Sequence, residues 1–125
     1  MTIQNAMETV EKLRPHAIPS NVVVRWLSDL DMKVFEDLIK THMDRPDDDL
    51  EPYGSDTPVT TELLIPEPYD MDVYTSYIKL KIDEELAETN RYVFDTQMFN
   101  TALTEYYSYY NRRHMPASIA EGWRF

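Results

Sequence analysis

The chain contains no cysteine and only two glycines, Gly54 and Gly122, in 125 residues. Without cysteine there is no disulfide framework and no thiolate metal site. So few glycines disfavour a fold of many tight hairpins, whose turns need positive φ. They also leave no glycine-rich loop to cradle a phosphate. No apolar run approaches the roughly 20 residues that span a bilayer, so no membrane segment is expected. Residues 1–14 carry Glu8 and Glu11 and lack an apolar stretch, so they do not read as a signal peptide.

Positive charge is also scarce: 12 Lys and Arg stand against 23 Asp and Glu, a net charge of −11. A surface of that sign repels phosphates at long range and does not adhere to anionic membranes. DNA binding by charge neutralisation is therefore not expected, although DNA passing nearby is compatible with it. The imbalance is local. Residues 1–43 hold five basic and six acidic side chains, residues 68–113 hold five and eight, and residues 44–67 set Arg45 against eight acids. Asp47, Asp48, Asp49 and Glu51 are the densest part. Like charges so close resist compaction, so this segment is expected to be solvated, to lie on a basic partner or to face a cavity.

What is present is 42% hydrophobic residues, set at helical spacing and enough for one domain with one core. Ile3, Ala6, Met7, Val10 and Leu13 share a face, with Thr2 as N-cap and Pro15 as stop. Ser20 reads as the cap of a second helix whose stripe is Val23, Trp26, Leu27, Leu30, Val34, Leu38 and Ile39, running to about Met43. Ser28 to Asp31 could instead cap a fresh helix, so a bend is an alternative there. Residues 44–67, with four prolines and Gly54, have no helical period. Thr60 to Ile65 either pairs as a short strand or lies along the helices. Pro68 suits the first turn of a third helix, near whose positive end Asp70 and Asp72 are favourable. Met71, Tyr74, Tyr77, Ile78, Ile82 and Leu86 are its expected inward face. Thr89 or Asn90 caps a fourth helix carrying Tyr92, Met98, Phe99, Ala102, Leu103, Tyr106 and Tyr110. The expectation is a single all-α domain over residues 1–125: about four bundled helices, a long acidic loop (44–67) between helices 2 and 3, and an extended C-terminal arm (114–125).

No motif of catalysis emerges. His16, His42 and His114 match no metal-ligand spacing, and an ordinary helix-end histidine explains His42. Asp47, Asp49 and Glu51 alternate like a calcium loop, but Pro52 takes the place of the turn glycine and Pro58 that of the bidentate glutamate. There is no G-x-S-x-G and no Cys/His dyad. Carboxylate pairs are abundant, but none is marked as buried. No catalytic residue, metal or cofactor is expected, and the chain is read as a binding protein.

Tyr106 and Tyr110 fall on the core stripe of the fourth helix. Tyr107 and Tyr109 point roughly 100° to either side and need another cover, and tyrosine is favoured at interfaces because a large ring is buried while its hydroxyl stays wet. Arg112 and Arg113 in the last turn complement the macrodipole and join this expected partner surface. Trp123 and Phe125 on the arm must fold back or dock on a neighbour. Tyr53, Leu63, Leu64 and Ile65 are further expected partner contacts.

Three stretches carry a resemblance: Arg25-Trp26-Leu27-Ser28-Asp29-Leu30-Asp31; Asp56-Thr57-Pro58 through Thr61 to Asp70; and Met98-Phe99-Asn100 through Tyr109 to Pro116. In order and spacing they resemble small structural proteins of tailed bacteriophages and prophages, of the head–tail connector (adaptor) kind. The resemblance implies a helical virion protein. It would assemble as a homo-oligomeric ring, commonly twelve-fold, under the portal protein, and would contact tail or neck proteins while DNA passes through without specific binding. It implies location in the virion neck, and in the host cytoplasm during assembly. The chain departs from the family near Ala87, where related chains often have glycine, which leaves the sharpness of the turn between helices 3 and 4 open. The alternative reading is an acidic phage-encoded inhibitor or regulatory binder that mimics DNA. Such a mimic spaces its carboxylates along a surface, whereas here they cluster in one loop.

Overall fold

The computed structural model describes residues 1–114. The expected arm with Trp123 and Phe125 lies outside the described residues. The fold is all-α: α1 (Ile3–Leu13), α2 (Ser20–Asp37), α3 (Asp70–Glu85) and α4 (Thr89–Arg113), with a single 3-10 turn, Ile39–Thr41, after α2. Among the described residues β pairing is confined to an isolated bridge between Thr2 and Glu62.

The start of α1 is a capping box. The Thr2 hydroxyl accepts the Asn5 N–H, and the Asn5 side chain accepts the Thr2 N–H. Ile3, Ala6 and Val10 face inward and Met7 is half-buried, but Leu13, expected on the same face, is exposed because it is the last residue of the helix, where the chain turns away at Arg14 and Pro15. Ser20 is not a cap: Pro19 occupies that position and Ser20 is the first helical residue. Helix α2 runs without interruption through Ser28 to Asp31. The Ser28 and Asp31 side chains bond to the following loop rather than to their own backbone, so they do not open a new helix. The helix stops at Asp37, short of Met43.

Pro68 precedes α3 instead of standing in its first turn. Of the expected inward face of α3, Tyr74, Ile78 and Ile82 are buried, while Met71 and Leu86 are exposed and Val73 and Leu80 lie inside. The reason is position: α3 packs against α1, α2 and α4, so its buried surface is wider than one stripe. The α3–α4 turn is sharp. The Glu88 N–H bonds to the Asp83 carbonyl and the Ala87 N–H to the Glu84 carbonyl, the paired bonds of a Schellman motif. Ala87 takes the left-handed position with φ 56, where glycine is the usual occupant. Glu88 holds the N-cap position of α4, with Thr89 as first helical residue and neither Thr89 nor Asn90 as cap. On α4, Ala102 and Tyr106 are buried, and Phe99, Leu103 and Tyr110 pack on the core, while Tyr92 and Met98 are exposed.

Cross-helix contacts fix the directions. Asp83 and Asp95 meet on Arg14, Tyr77 meets Phe99 and Tyr69 meets Tyr109, so α3 and α4 are antiparallel. The Met1 amine reaches Asp70 while Arg14 reaches Asp83, so α1 and α3 run parallel. His42 meets Asn111 beyond the ends of α2 and near the end of α4, so α2 runs with α4. The result is an up-down-up-down bundle. Its core includes Ile3, Val10, Leu27, Val34, Val73, Tyr74, Ile78 and Tyr106. Each such aliphatic side chain contributes roughly 1.5–3 kcal/mol by leaving water. Residues 44–67 rise from the lower end to mid-bundle and return, and the α3–α4 turn forms the upper end.

Candidate functional site

Asp31 lies in the apolar stripe of α2 and is fully buried. Its Oδ1 accepts the Tyr74 hydroxyl at 2.6 Å, and its Oδ2 accepts the Tyr53 hydroxyl at 2.6 Å and the Leu64 N–H at 3.0 Å. The Tyr74 oxygen in turn accepts the Ile65 N–H at 2.8 Å, and Ser28 Oγ accepts the Tyr53 N–H at 3.0 Å. Burial pushes the Asp31 carboxyl above its ordinary range, against the three donors that favour the anion. Burial, and then the neighbouring Asp31 charge, push the Tyr53 and Tyr74 hydroxyls far upward, so both stay protonated as donors. A carboxylate enclosed by three donors is a fastening, not a free base. It ties both limbs of the acidic loop to α2.

The returning limb also caps α1. The Ile3 N–H bonds to the Thr61 carbonyl at 3.1 Å, the Gln4 N–H to Val59 at 2.9 Å, and the Leu63 N–H to Met1 at 2.9 Å. First-turn donors, orphaned by helix geometry, thereby find acceptors. All eight acidic residues of the loop are exposed. Asp49 reaches Lys40 at 3.0 Å and Asp44 pairs with His114. Asp47, Asp48 and Glu51 point to solvent on a backbone held at Tyr53 and Leu64. The loop is therefore a placed negative surface.

A second polar cluster was not anticipated. Arg14 Nη1 lies 2.7 Å from Asp83 Oδ1 and 2.7 Å from Asp95 Oδ2. Both aspartates are buried, and Asp83 Oδ2 has no hydrogen-bond partner. Burial, with Asp95 alongside, pushes the Asp83 carboxyl up to about 6 although Arg14 opposes it. Asp83 and Asp95 stand at the two feet of the α3–α4 turn, and every residue between them, 84–94, is exposed. Arg14 thus clamps the base of a protruding hairpin tip that shows Leu86 (58% exposed) and Phe94 (61% exposed) to solvent.

Between α2 and the loop runs a groove of about 600 Å³, lined by Met7, Val24, Pro52, Tyr53 and Val59, with Arg25 and Asp29 on its polar side. Among the described residues no group of three or more His, Cys, Asp and Glu side chains is arranged to hold a metal ion, and no helix is long and apolar enough to cross a membrane.

The expected partner contacts divide. Leu63 and Ile65, read from sequence as partner-facing, are instead buried in the chain's own core, because the loop folds back onto α2 and α1. Leu64 and Tyr53 are half-buried at the Asp31 fastening. Tyr107 and Tyr109 are half-buried: Tyr109 rests on Tyr69 with centroids 4.8 Å apart, under the Arg113 guanidinium at 5.1 Å. Arg112 and Arg113 are exposed. His42 is buried and donates from Nδ1 to the Leu38 carbonyl while Nε2 meets Asn111 at 2.8 Å, so it joins two helices rather than merely ending one. Asp31 was detectable in sequence as an acid within an apolar stripe. Arg14, Asp83 and Asp95 carried no such signal.

No known protein family, curated protein or solved structure matches the chain.

Proposed function

We propose that this chain is a structural subunit of the head–tail connector of a tailed bacteriophage, forming a homo-oligomeric ring between portal and tail with the acidic loop toward the DNA channel. The observation that carries the reading is the placed loop. Eight exposed carboxylates lie on a backbone pinned by Asp31, so their position survives without a partner. Such a surface offers DNA phosphates no counter-charge, and DNA slides past it without release of condensed ions. The three stretches that resemble connector proteins also meet in the fold. Asp31 of the first bonds Leu64 of the second, and Tyr69 of the second packs on Tyr106 and Tyr109 of the third. The exposed apolar tip suits a protein whose neighbours complete it.

The test is co-assembly with the portal of the phage that encodes the chain, followed by electron microscopy of the particle. A ring of this protein between portal and tail is the expected result. Absence from the neck of complete particles refutes the reading.

A further inference from the structure

We infer that the α3–α4 hairpin tip (residues 84–94) is proton-gated: Arg14 holds its two feet closed while Asp83 and Asp95 share one proton, and departure of that proton makes local opening of the tip far more frequent. One nitrogen, Arg14 Nη1, lies 2.7 Å from Asp83 Oδ1 and 2.7 Å from Asp95 Oδ2, so the two carboxylates crowd against each other. Both are buried, and one guanidinium balances only one of them. With both ionised, the trio keeps an uncompensated negative charge out of water, which is costly. One proton on the pair makes the trio neutral, the usual resolution where two carboxylates meet. Asp83 Oδ2 is buried without a hydrogen-bond partner, and such an oxygen costs less on a neutral carboxyl than on an anion.

Charged groups reach this pair from each element around it. The end of α1 supplies Arg14, and α4 supplies Asp95. Glu84 and Glu88 share a small cavity with Asp83 at the turn, Glu84 being paired with Lys81 at 3.6 Å. Lys79 lines a groove beside Asp95, together with Asp72 and Glu105. From α2, Asp29 acts on Tyr77, lower on α3, and His16 in the α1–α2 link pairs with Glu11 at 3.3 Å. The cation that meets both aspartates is therefore Arg14, already divided between them. Burial, and then Asp95, raise the Asp83 carboxyl to about 6 against Arg14, which sets the working range at mildly acid pH. The tip depends on this trio. Side chains 84–94 are all exposed, so apolar burial adds little there, and the ring contact of Tyr77 with Phe99 lies below the clamp. Segments with few buried contacts open at low free energy. The turn's own hydrogen bonds, Glu88 N–H to the Asp83 carbonyl among them, complete the closure.

The closed tip binds the proton more tightly than the open one, where Asp83 returns toward its ordinary 3.8. Closure is therefore firmest below about pH 4 and weakens as pH rises through 6. The test is amide hydrogen exchange of the full chain at about pH 4 and about pH 7, corrected for intrinsic rates, with and without low denaturant. The hydrogen-bonded tip amides, Leu86, Ala87, Glu88 and Tyr92, are expected to lose on the order of 100-fold in protection across that range. Their opening is expected to be nearly insensitive to denaturant, as for a local event that exposes little surface, while core amides of α2 and α3 stay better protected at both pH values. Asp83→Asn keeps the shape and removes the charge, so it is expected to hold tip protection constant with pH. Asp95→Asn leaves one carboxylate on Arg14 and is expected to do the same, which covers the case in which the first variant fails to fold. Tip amides that exchange together with the core, at the same denaturant sensitivity, overturn the gate. So does tip protection unchanged with pH, or a loss that persists in a folded Asn variant. A ring found or missing in the particle neck bears only on the connector reading.

Discussion

Tyr74 and Asp31 are joined across α3 and α2 by a 2.6 Å hydrogen bond, and the same tyrosine oxygen takes the Ile65 N–H. One buried pair thus connects two helices and the returning limb of the loop. Replacing Asp31 with Ala strands two hydroxyls and one amide without an acceptor. The expected loss is about 3–5 kcal/mol in denaturant unfolding. Tyr74→Phe, which orphans Ile65 N–H and one carboxylate oxygen, is expected to cost about 1–3 kcal/mol. Limited proteolysis of either variant should cut first within residues 44–62. Equal protection of that loop in wild type and Asp31→Ala would contradict the fastening role.

Asp83 gives the protein a pH signature. Its folded carboxyl titrates at about 6, above the ordinary 3.8, so the folded state binds a proton more tightly than the unfolded one. The stabilisation from this group is fully present below about pH 4 and is lost as pH rises through 6. Asp31 is raised by burial and acts with the same sign. Melting temperature should therefore decline between about pH 4 and pH 6 and level off above that, and Asp83→Asn should flatten that decline. A slope unchanged by the substitution would show that the clamp does not hold the proton.

Ala87 occupies a left-handed backbone position, φ 56, which costs an L residue about 1–2 kcal/mol. Glycine avoids that cost but loses more chain entropy. Ala87→Gly is expected to stabilise by a net of about 0.5–1 kcal/mol, seen as a melting temperature higher by a few degrees. Lower stability would mean that the turn is held differently.

Neutralising the loop separates folding from function. Asp47→Asn, Asp48→Asn, Asp49→Asn and Glu51→Gln together touch exposed side chains, and stability should change by no more than about 1 kcal/mol. On the connector reading, particles carrying them assemble but release DNA more slowly. Release at the wild-type rate would count against a channel-facing loop.

The outer parts of this fold were readable from residue order, and the inner parts were not. Helix α1 announced itself through Thr2, Pro15 and the Ile3–Ala6–Val10 spacing, all local features, whereas the Asn5 half of its capping box appears only in the structure. The α2 stripe was legible for the same reason, since one face meets the core. Helix α3 was misread at Met71 and Leu86 because neighbours surround it, and surrounding helices erase the periodicity on which such readings depend. Leu63 and Ile65 looked available to a partner because the loop's return to Asp31 is a long-range event. The Arg14 clamp joins residues 69 and 81 positions apart, and nothing local marks such a meeting.

The up-down-up-down course gives the molecule two unlike poles. Asp44, the acidic loop and the His114 end of α4 gather at one, while Leu86, Phe94 and the rest of the tip stand at the other. A molecule so divided carries its own compass. In any layer of identically oriented copies the two rims differ, one bearing the loop carboxylates and the other mixing Leu86, Val93 and Phe94 with Glu84, Glu85 and Glu88, so the layer has a top and a bottom before anything else docks on it.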